Sequence, residues 1–317
     1  MLLRLIHFKI AQYNKLTVML TIMFCVLINA YASFTPVTTT LPALSNSAGS
    51  WGDFDNDGDM DLVVSGNLTP AVYRNNGSGY FTNVNINIPT LIGSSASWGD
   101  YDNDGDLDLL VAGQGPNYTP TTKLYRNDAV GFNEVSTSII GVNSANVTWG
   151  DYDSDGFLDV LISGGIPGVN YDYPYTKVFR NQRNGTFIDI NSGIQGIKGG
   201  SNSWVDYDND GDLDIFLFGN IAAYSSTPST KLYRNDGNGL FTFVATNIPN
   251  IDIGSSAWGD FDSDGDLDLL ISGDTSSDRI TRIYRNDGNG NFTDLNAGLP
   301  GLSLSKVSWG DLDNDGD

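Results

Sequence analysis

Histidine, cysteine and glutamate are almost missing from this chain: it holds one of each, His7, Cys25 and Glu134. Two of the three fall in the first 32 residues. There Arg4, Lys9 and Lys15 precede an uncharged run from Leu16 to Ala30, and Ala30-Tyr31-Ala32 has the small-x-small form of a peptidase site before Ser33. Residues 1–32 therefore read as a signal peptide cleaved near Ala32, and the expected location is secreted or cell-surface. The alternative is an N-terminal anchor, but about 15 apolar residues fall short of the roughly 20 that cross a bilayer. No span is expected in residues 33–317. A mature chain without His or Cys excludes disulfides, zinc sites built on those residues, Ser-His-Asp triads and Cys-His pairs.

The near-absence of glutamate is informative in another way. The chain has 38 acidic residues against 16 Lys and Arg, for a formal charge of −22, yet an acidic surface serving only solubility would use both acids. Of those acids 28 are aspartates packed into six short copies of one motif: DFDNDGDMD from Asp53, DYDNDGDLD from Asp100 and again from Asp206, DYDSDGFLD from Asp151, DFDSDGDLD from Asp260 and a truncated DLDNDGD from Asp311. The charge is local. It gives no reason to expect a nucleic acid, and it calls for something that neutralises each loop where it stands.

The motif belongs to a longer repeat. Trp51, Trp98, Trp149, Trp204, Trp258 and Trp309 each precede a copy, at intervals of 47, 51, 55, 54 and 51 residues. From each Trp to the glycine closing the next apolar run (Gly66, Gly113, Gly164, Gly219, Gly273) is always 15 residues, and from Phe34, Phe81, Phe132, Phe187, Phe241 and Phe292 to the next Trp is always 17. Nearly all the variation lies between that glycine and the Arg of a Y/F-R-N motif, at 8, 13, 16, 15 and 12 residues. One connection per repeat is free to change. Each repeat offers four strand-like segments, in the second copy SASWGD, LDLLVAG, TKLYRN and FNEVS, and Asp236-Gly237 and Asp287-Gly288 mark hairpins between the third and fourth. Four strands in about 50 residues predict an all-β propeller blade; a β-solenoid, the alternative, has coils of about half that length.

In D-x-D-x-D-G-x-x-D the carboxylates at positions 1, 3, 5 and 9 can converge on one centre. Gly at 6 permits the sharp turn, and position 7 offers its carbonyl. Such hard oxygen donors suit calcium, one ion per loop. The third copy carries Phe157 at position 7, which fits a backbone ligand there. A helical calcium hand is disfavoured, because Val64 stands where its closing Glu would be. The expected ligands are Asp53, Asp55, Asp57, Asp59 and Asp61; Asp100, Asp102, Asp104, Asp106 and Asp108; Asp151, Asp153, Asp155, Phe157 and Asp159; Asp206, Asp208, Asp210, Asp212 and Asp214; Asp260, Asp262, Asp264, Asp266 and Asp268. Asp311, Asp313 and Asp315 begin a sixth site that lacks position 9.

The W-G-D-x-D-x-D-G-x-x-D-L-L-x-x-G pattern followed by Y-R-N resembles the FG-GAP, or VCBS, repeats that build calcium-bearing propellers similar to the N-terminal head of integrin α subunits. The resemblance covers residues 34–317 and implies a calcium-stabilised turn between the first two strands of each blade. It implies no particular activity. Five full blades and the start of a sixth are expected here. Phe34–Leu44 matches the fourth-strand segment from Phe241, so it reads as the outer strand of a last blade completed by chain beyond Asp317, in a ring for which the family favours seven blades.

Alternation of strands places the acidic turns and the third-to-fourth hairpins on one face and the variable connections on the other. The latter is the candidate binding face. It carries Tyr118, Tyr171, Tyr173, Tyr175 and Tyr224, which can stack on sugars or anchor a protein interface, or else pack on neighbouring loops. The repeated Trp and Phe read as packing residues, and the Arg of Y-R-N as structural. No catalytic residue is assigned. The expected function is recognition or adhesion toward an extracellular protein or glycan; the alternative is a polysaccharide lyase or glycoside hydrolase, working without His through acid pairs or a calcium-assisted Lys or Tyr.

Overall fold

The computed structural model describes residues 39, 41, 48–65, 70–128, 131–168 and 171–311. The expected signal peptide, almost all of Phe34–Leu44, and Asp313 and Asp315 lie outside them. The described residues form a β-propeller of five four-stranded antiparallel blades, each with its strands in sequence order. Blade 1 is β1 (Ala48–Gly52), β2 (Asp61–Ser65), β3 (Ala71–Asn75) and β4 (Phe81–Asn83); blade 2 is β5 (Ile92–Gly99), β6 (Asp108–Gln114), β7 (Pro120–Asp128) and β8 (Gly131–Val135). Blade 3 comprises β9 (Asn143–Gly150), β10 (Asp159–Pro167), β11 (Asp172–Asn181) and β12 (Phe187–Asp189). Blade 4 has β13 (Lys198–Val205), β14 (Asp214–Asn220), β15 (Pro228–Asn235) and β16 (Phe241–Val244), and blade 5 has β17 (Gly254–Gly259), β18 (Asp268–Asp274), β19 (Arg279–Asn286) and β20 (Phe292–Asp294).

The second strand of each blade is apolar without alternation because both of its faces are covered. Along β6, Leu109 and Val111 enter the core shared with blade 1, and Leu110 and Ala112 the core shared with blade 3. Along β14, Ile215 and Leu217 face blade 3 while Phe216 and Phe218 face blade 5. The core is thus a series of layers between blades, filled by the period-two alternation of one strand. First strands are different. They lie side by side, β1 with β5, β5 with β9, β9 with β13 and β13 with β17. Small polar side chains bridge β9 and β13, where Thr148 Oγ1 donates to Asn202 Oδ1 at 3.1 Å, and others tie a first strand to the second strand of the preceding blade: Ser94 Oγ of β5 donates to Ser65 Oγ of β2 at 2.8 Å and Asn202 Nδ2 of β13 to Ser163 Oγ of β10 at 2.6 Å.

Three of the four seams between the described blades are closed on the loop side by three aromatic rings. The position-2 residue of one loop stacks on the Trp of the next blade, as in Phe54–Trp98 (5.9 Å, 12°), Tyr101–Trp149 (6.5 Å, 15°) and Tyr152–Trp204 (6.2 Å, 8°), with Phe132, Phe187 or Phe241 tilted against both. The glycine after each Trp makes room for this: a Cβ on Gly99 would lie 2.7 Å from Trp149 and one on Gly150 2.6 Å from Trp204. Blade 4 tests the rule, since Val205 replaces that glycine. Trp258 there packs edge-on against Phe216 at 5.2 Å, and its Nε1 donates to Ser203 Oγ; Trp98 and Trp149 instead donate to the carbonyls of Ser50 and Ser97.

The Asn of Y-R-N ties the same seam with hydrogen bonds. Its Nδ2 donates back to the position-2 carbonyl of the preceding loop: Asn127 to Phe54 O (2.7 Å), Asn181 to Tyr101 O (2.7 Å), Asn235 to Tyr152 O (2.8 Å) and Asn286 to Tyr207 O (2.7 Å). All four are buried. Replacing Asn235 with Ala would strand the Tyr152 carbonyl in the seam between blades 3 and 4, at a cost of about 1–3 kcal/mol. Denaturant unfolding is expected to show that loss. The exposed substitution Ser136→Ala, outside the left-handed positions, serves as the control, with no measurable change.

Candidate metal centres and the opposite face

Gly52 pairs with Asp61 across β1 and β2, and the register repeats as Gly99 with Asp108, Gly150 with Asp159, Val205 with Asp214 and Gly259 with Asp268. Eight residues must therefore reverse the chain between paired positions. The reversal uses two left-handed residues: position 4, Asn or Ser at φ between 54° and 58°, and the position-6 glycine at φ between 88° and 98°. Open space surrounds those glycines, so the dihedral alone demands them.

The aspartates hold the turn from inside. In blade 1, Asp53 accepts the N–H groups of Asp57 (3.0 Å) and Gly58 (2.9 Å), and Asp57 accepts that of Asp59 (3.0 Å); the same three bonds recur in the other four loops. Position 9 is the hub. One oxygen of Asp108 accepts Tyr101 N–H at 3.1 Å and the other accepts Asn127 N–H at 2.8 Å, joining the loop to the third strand; Asp61, Asp159, Asp214 and Asp268 repeat the arrangement. Burial pushes Asp108, Asp159 and Asp214 up from 3.8 to about 7, against the pull of these N–H donors, and also raises Asp61 and Asp268.

Position 3 behaves differently from its neighbours. Oδ1 of Asp55, Asp102, Asp153 and Asp208 is buried and has no hydrogen-bond partner. Burial, and then the adjacent carboxylates, raise the first, second and fourth of these above the ordinary range; in Asp153 the Arg180 guanidinium opposes the burial, but the net shift is still upward. Three carboxylate oxygens lie within 4.8 Å of one another in every one of the five loops, from Asp53, Asp55 and Asp57; Asp100, Asp102 and Asp108; Asp151, Asp153 and Asp159; Asp206, Asp208 and Asp210; Asp260, Asp262 and Asp268. Stranded buried oxygens beside converging carboxylates fit a hard divalent cation. These residues could hold one.

Two roles in the loops have no counterpart in the sequence reading. Where position 4 is Asn it links its loop to the next: Asn56 Nδ2 donates to Asp106 Oδ1 (2.9 Å) and Gly105 O (3.3 Å), Asn103 to Gly156 O (2.7 Å), and Asn209 to Asp266 Oδ1 (2.7 Å) and Gly265 O (2.9 Å). The position-7 side chain, expected to offer only a carbonyl, thus has work between blades. The recurrence of Asn at position 4 in four of six copies and of Asp at position 7 in five was the available signal. The Arg of Y-R-N forms ion pairs, with Asp128, Asp236 and Asp287 in blades 2, 4 and 5 and with loop aspartates in blades 1 and 3.

Two clefts on this face, of about 530 and 510 Å³, are lined by Asp55, Arg74 and Asp106 and by Asp153, Arg180 and Asp212. On the opposite face Tyr171, Tyr173 and Tyr224 come together from the variable connections of blades 3 and 4. Tyr224 meets Tyr171 edge-on at 4.9 Å and Tyr173 at 6.3 Å, and the Tyr173 and Tyr224 hydroxyls are 3.0 Å apart. All three are exposed. Tyr118 ends the short 3-10 turn Pro116–Tyr118, 81 % exposed and without an aromatic partner among the described residues. Tyr175 is half-buried against the core between blades 2 and 3, where burial raises its hydroxyl to about 12.

Five blades of this pattern, each carrying an acidic turn between its first two strands, define a repeat propeller. The FG-GAP-like repeat model matches residues 53–111, 100–162, 206–271 and 260–317, and the chain belongs to that family. No match was found among curated protein sequences. Among solved structures the chain is similar to an Agrocybe aegerita lectin described as recognising non-reducing terminal N-acetylglucosamine, at 18 % identity and a TM-score of 0.51 over 78 % of this chain and 65 % of the lectin. It also aligns with the V. cholerae biofilm matrix protein Bap1, at 16 % identity and a TM-score of 0.41 over 82 % of this chain and 40 % of that one. The chain thus spans less than two thirds of either protein. No helix among the described residues is long and apolar enough to cross a membrane.

Without a cation the folded chain keeps protons on Asp108, Asp159 and Asp214 that the unfolded chain has released between about pH 4 and 7, so stability falls as pH rises through that window. A cation binds the ionised form and reverses the trend. Melting temperature in chelator is expected to drop from pH 5 to 7.5, while the gap between chelator and millimolar calcium widens; parallel curves would contradict the assignment.

Proposed function

We propose that this chain is a secreted or cell-surface recognition module, held by calcium on one face and binding an extracellular glycan or protein with the other. The observation that carries the binding half is the Tyr171–Tyr173–Tyr224 cluster. Exposed aromatic rings are costly to leave in water, and three of them assembled from two blades by a hydroxyl contact and edge-on packing form a stiff, amphipathic platform of the kind that stacks on sugar rings or anchors a protein. It stands in the connections whose length varies, while the spacing of the scaffold is constant.

Calcium is supported by the unpartnered position-3 oxygens and by an all-oxygen donor set. The proposed ligands are the carboxylates at positions 1, 3, 5 and 9 and the carbonyl at position 7, Phe157 in blade 3 included. When bound, the ion would neutralise the carboxylates crowded into the turn, which also accept the backbone N–H groups that shape it. Export is supported by the composition of residues 1–32. A non-enzymatic role is supported by the occupation of the acids, since those at positions 1, 5 and 9 already accept backbone N–H groups within each turn.

The test replaces Tyr171, Tyr173 and Tyr224 together with Ala in the full chain and compares binding to a glycan array and to cell surfaces with thermal melting in calcium. Binding is expected to weaken at least tenfold, or ~1.4 kcal/mol, with melting little changed. Unaltered binding together with a large fall in melting temperature would make these tyrosines packing residues.

A further inference from the structure

The five acidic loops share one backbone but not one electrostatic setting. In blades 2, 4 and 5 an aspartate follows the Y-R-N arginine by two residues and draws it off: Arg126 pairs with Asp128 at 3.2 Å, Arg234 with Asp236 at 2.6 Å and Arg285 with Asp287 at 2.8 Å. Blade 1 has Asn76 at that position, and Arg74 turns instead toward Asp55, at 3.4 Å. Blade 3 has Gln182 there, and Arg180 closes on its own loop, Nε to Asp153 Oδ2 at 2.7 Å and Nη2 to Asp155 Oδ2 at 3.2 Å.

A second arginine joins it. Arg183 Nη2 lies 2.9 Å from Asp155 Oδ2, and its guanidinium sits 4.9 Å over the ring of Phe157, the one position-7 residue that is not aspartate. Arg183 occupies the place of Gly77, Gly237 and Gly288, all at φ between 75° and 78°, and is itself held at φ 62°, a left-handed conformation that disfavours a side chain. A residue kept there against its backbone preference, stacked and ion-paired, is part of how the turn is held. The loop of blade 3 therefore sets four aspartates against two arginines in direct contact. Blades 2, 4 and 5 each set five aspartates against none in ion-pair contact among the described residues.

We infer that Arg180 and Arg183 take over in blade 3 the neutralising part that calcium plays in the other loops, making this the weakest of the five calcium sites and the turn that keeps its form when calcium is withdrawn. The inference rests on the calcium reading given above. Asp153 still presents an unpartnered Oδ1, so the site is weakened and not abolished. Guanidiniums on the outer oxygens of Asp153 and Asp155 repel an incoming divalent ion and draw electron density from its ligands. They also relieve the self-repulsion that would open the turn without it. For Asp155, burial pushes the carboxyl up, but the donors Arg183, Phe157 N–H and Arg180 together outweigh it and leave it below its ordinary range, unlike Asp55, Asp102 and Asp208.

Two measurements on the full chain test this. The first is hydrogen exchange in chelator, where residues 151–159 are expected to stay protected while 100–108, 206–214 and 260–268 exchange; R180Q/R183Q should remove that protection. The second is calorimetric calcium titration, where the double variant should tighten the weakest class of sites about tenfold or more. The reciprocal variant Asp236→Asn frees Arg234 to turn on the blade 4 loop, as Arg74 does in blade 1, and should weaken one tight site and protect 206–214 in chelator. Five loops that exchange alike in chelator, or a titration unchanged in both variants, would overturn the inference alone. A chain that binds no calcium at all would overturn the calcium reading and the inference together.

Discussion

A buried carboxylate with both oxygens engaged is the constraint from which the rest follows. The ninth aspartate of each loop lies in the seam, accepting one N–H from its own loop and one from the third strand of its blade. Those two bonds fix the distance from the acidic turn to the blade and place the Asn of Y-R-N, whose side chain then reaches the preceding loop. Placing that carboxylate in low dielectric is costly in its charged form, and a cation beside it, or a proton, is what makes the arrangement tolerable. The acidity of the whole chain is the surface expression of five such hubs.

Much of this was legible in the sequence, for physical reasons that can be named. Invariant spacings of 15 and 17 residues mean rigid pieces, and a variable one means a connection on a surface; the four strands of each blade fall where the apolar runs and turn residues place them. The period-two division of Leu109, Leu110, Val111 and Ala112 between two cores could not be told from an apolar run, which a buried helix would share. The contacts between blades were less legible still. Asn127 reaching Phe54, or Asn56 reaching Asp106, joins residues some 50 to 70 positions apart, and nothing in a local pattern specifies which of several polar side chains crosses a seam. The meeting of Tyr171, Tyr173 and Tyr224 was hidden for the same reason, since it depends on the path of two loops of different length.

The exceptions are as instructive as the repeats. Val205, in place of a glycine, turns Trp258 from a stacked to an edge-on partner, because a Cβ and an indole cannot share the space. Phe157, in place of an aspartate, leaves Asn103 only the Gly156 carbonyl to hold. Each departure is absorbed within one seam while the neighbouring seams keep their form. That is the behaviour of a stack of blades stabilised by nearest-neighbour terms, in which a local loss need not spread.

The two faces are joined by the same layers between blades. On the acidic side Asn56, Asn103 and Asn209 chain one loop to the next, and the three-ring aromatic contacts lie directly beneath; on the other side the connections of blades 3 and 4 meet at Tyr173 and Tyr224. A hydroxyl contact of 3.0 Å between two exposed side chains persists only if the strands carrying them hold a fixed relation, because freezing two tyrosines costs more than one exposed hydrogen bond returns. That relation is set by the layer between blades 3 and 4, where Tyr152 of the acidic loop stacks on Trp204 and Ile197 and Leu217 are buried. The layer that holds Tyr152 beside the acidic turn of blade 3 thus also sets the spacing of Tyr173 and Tyr224 on the opposite face.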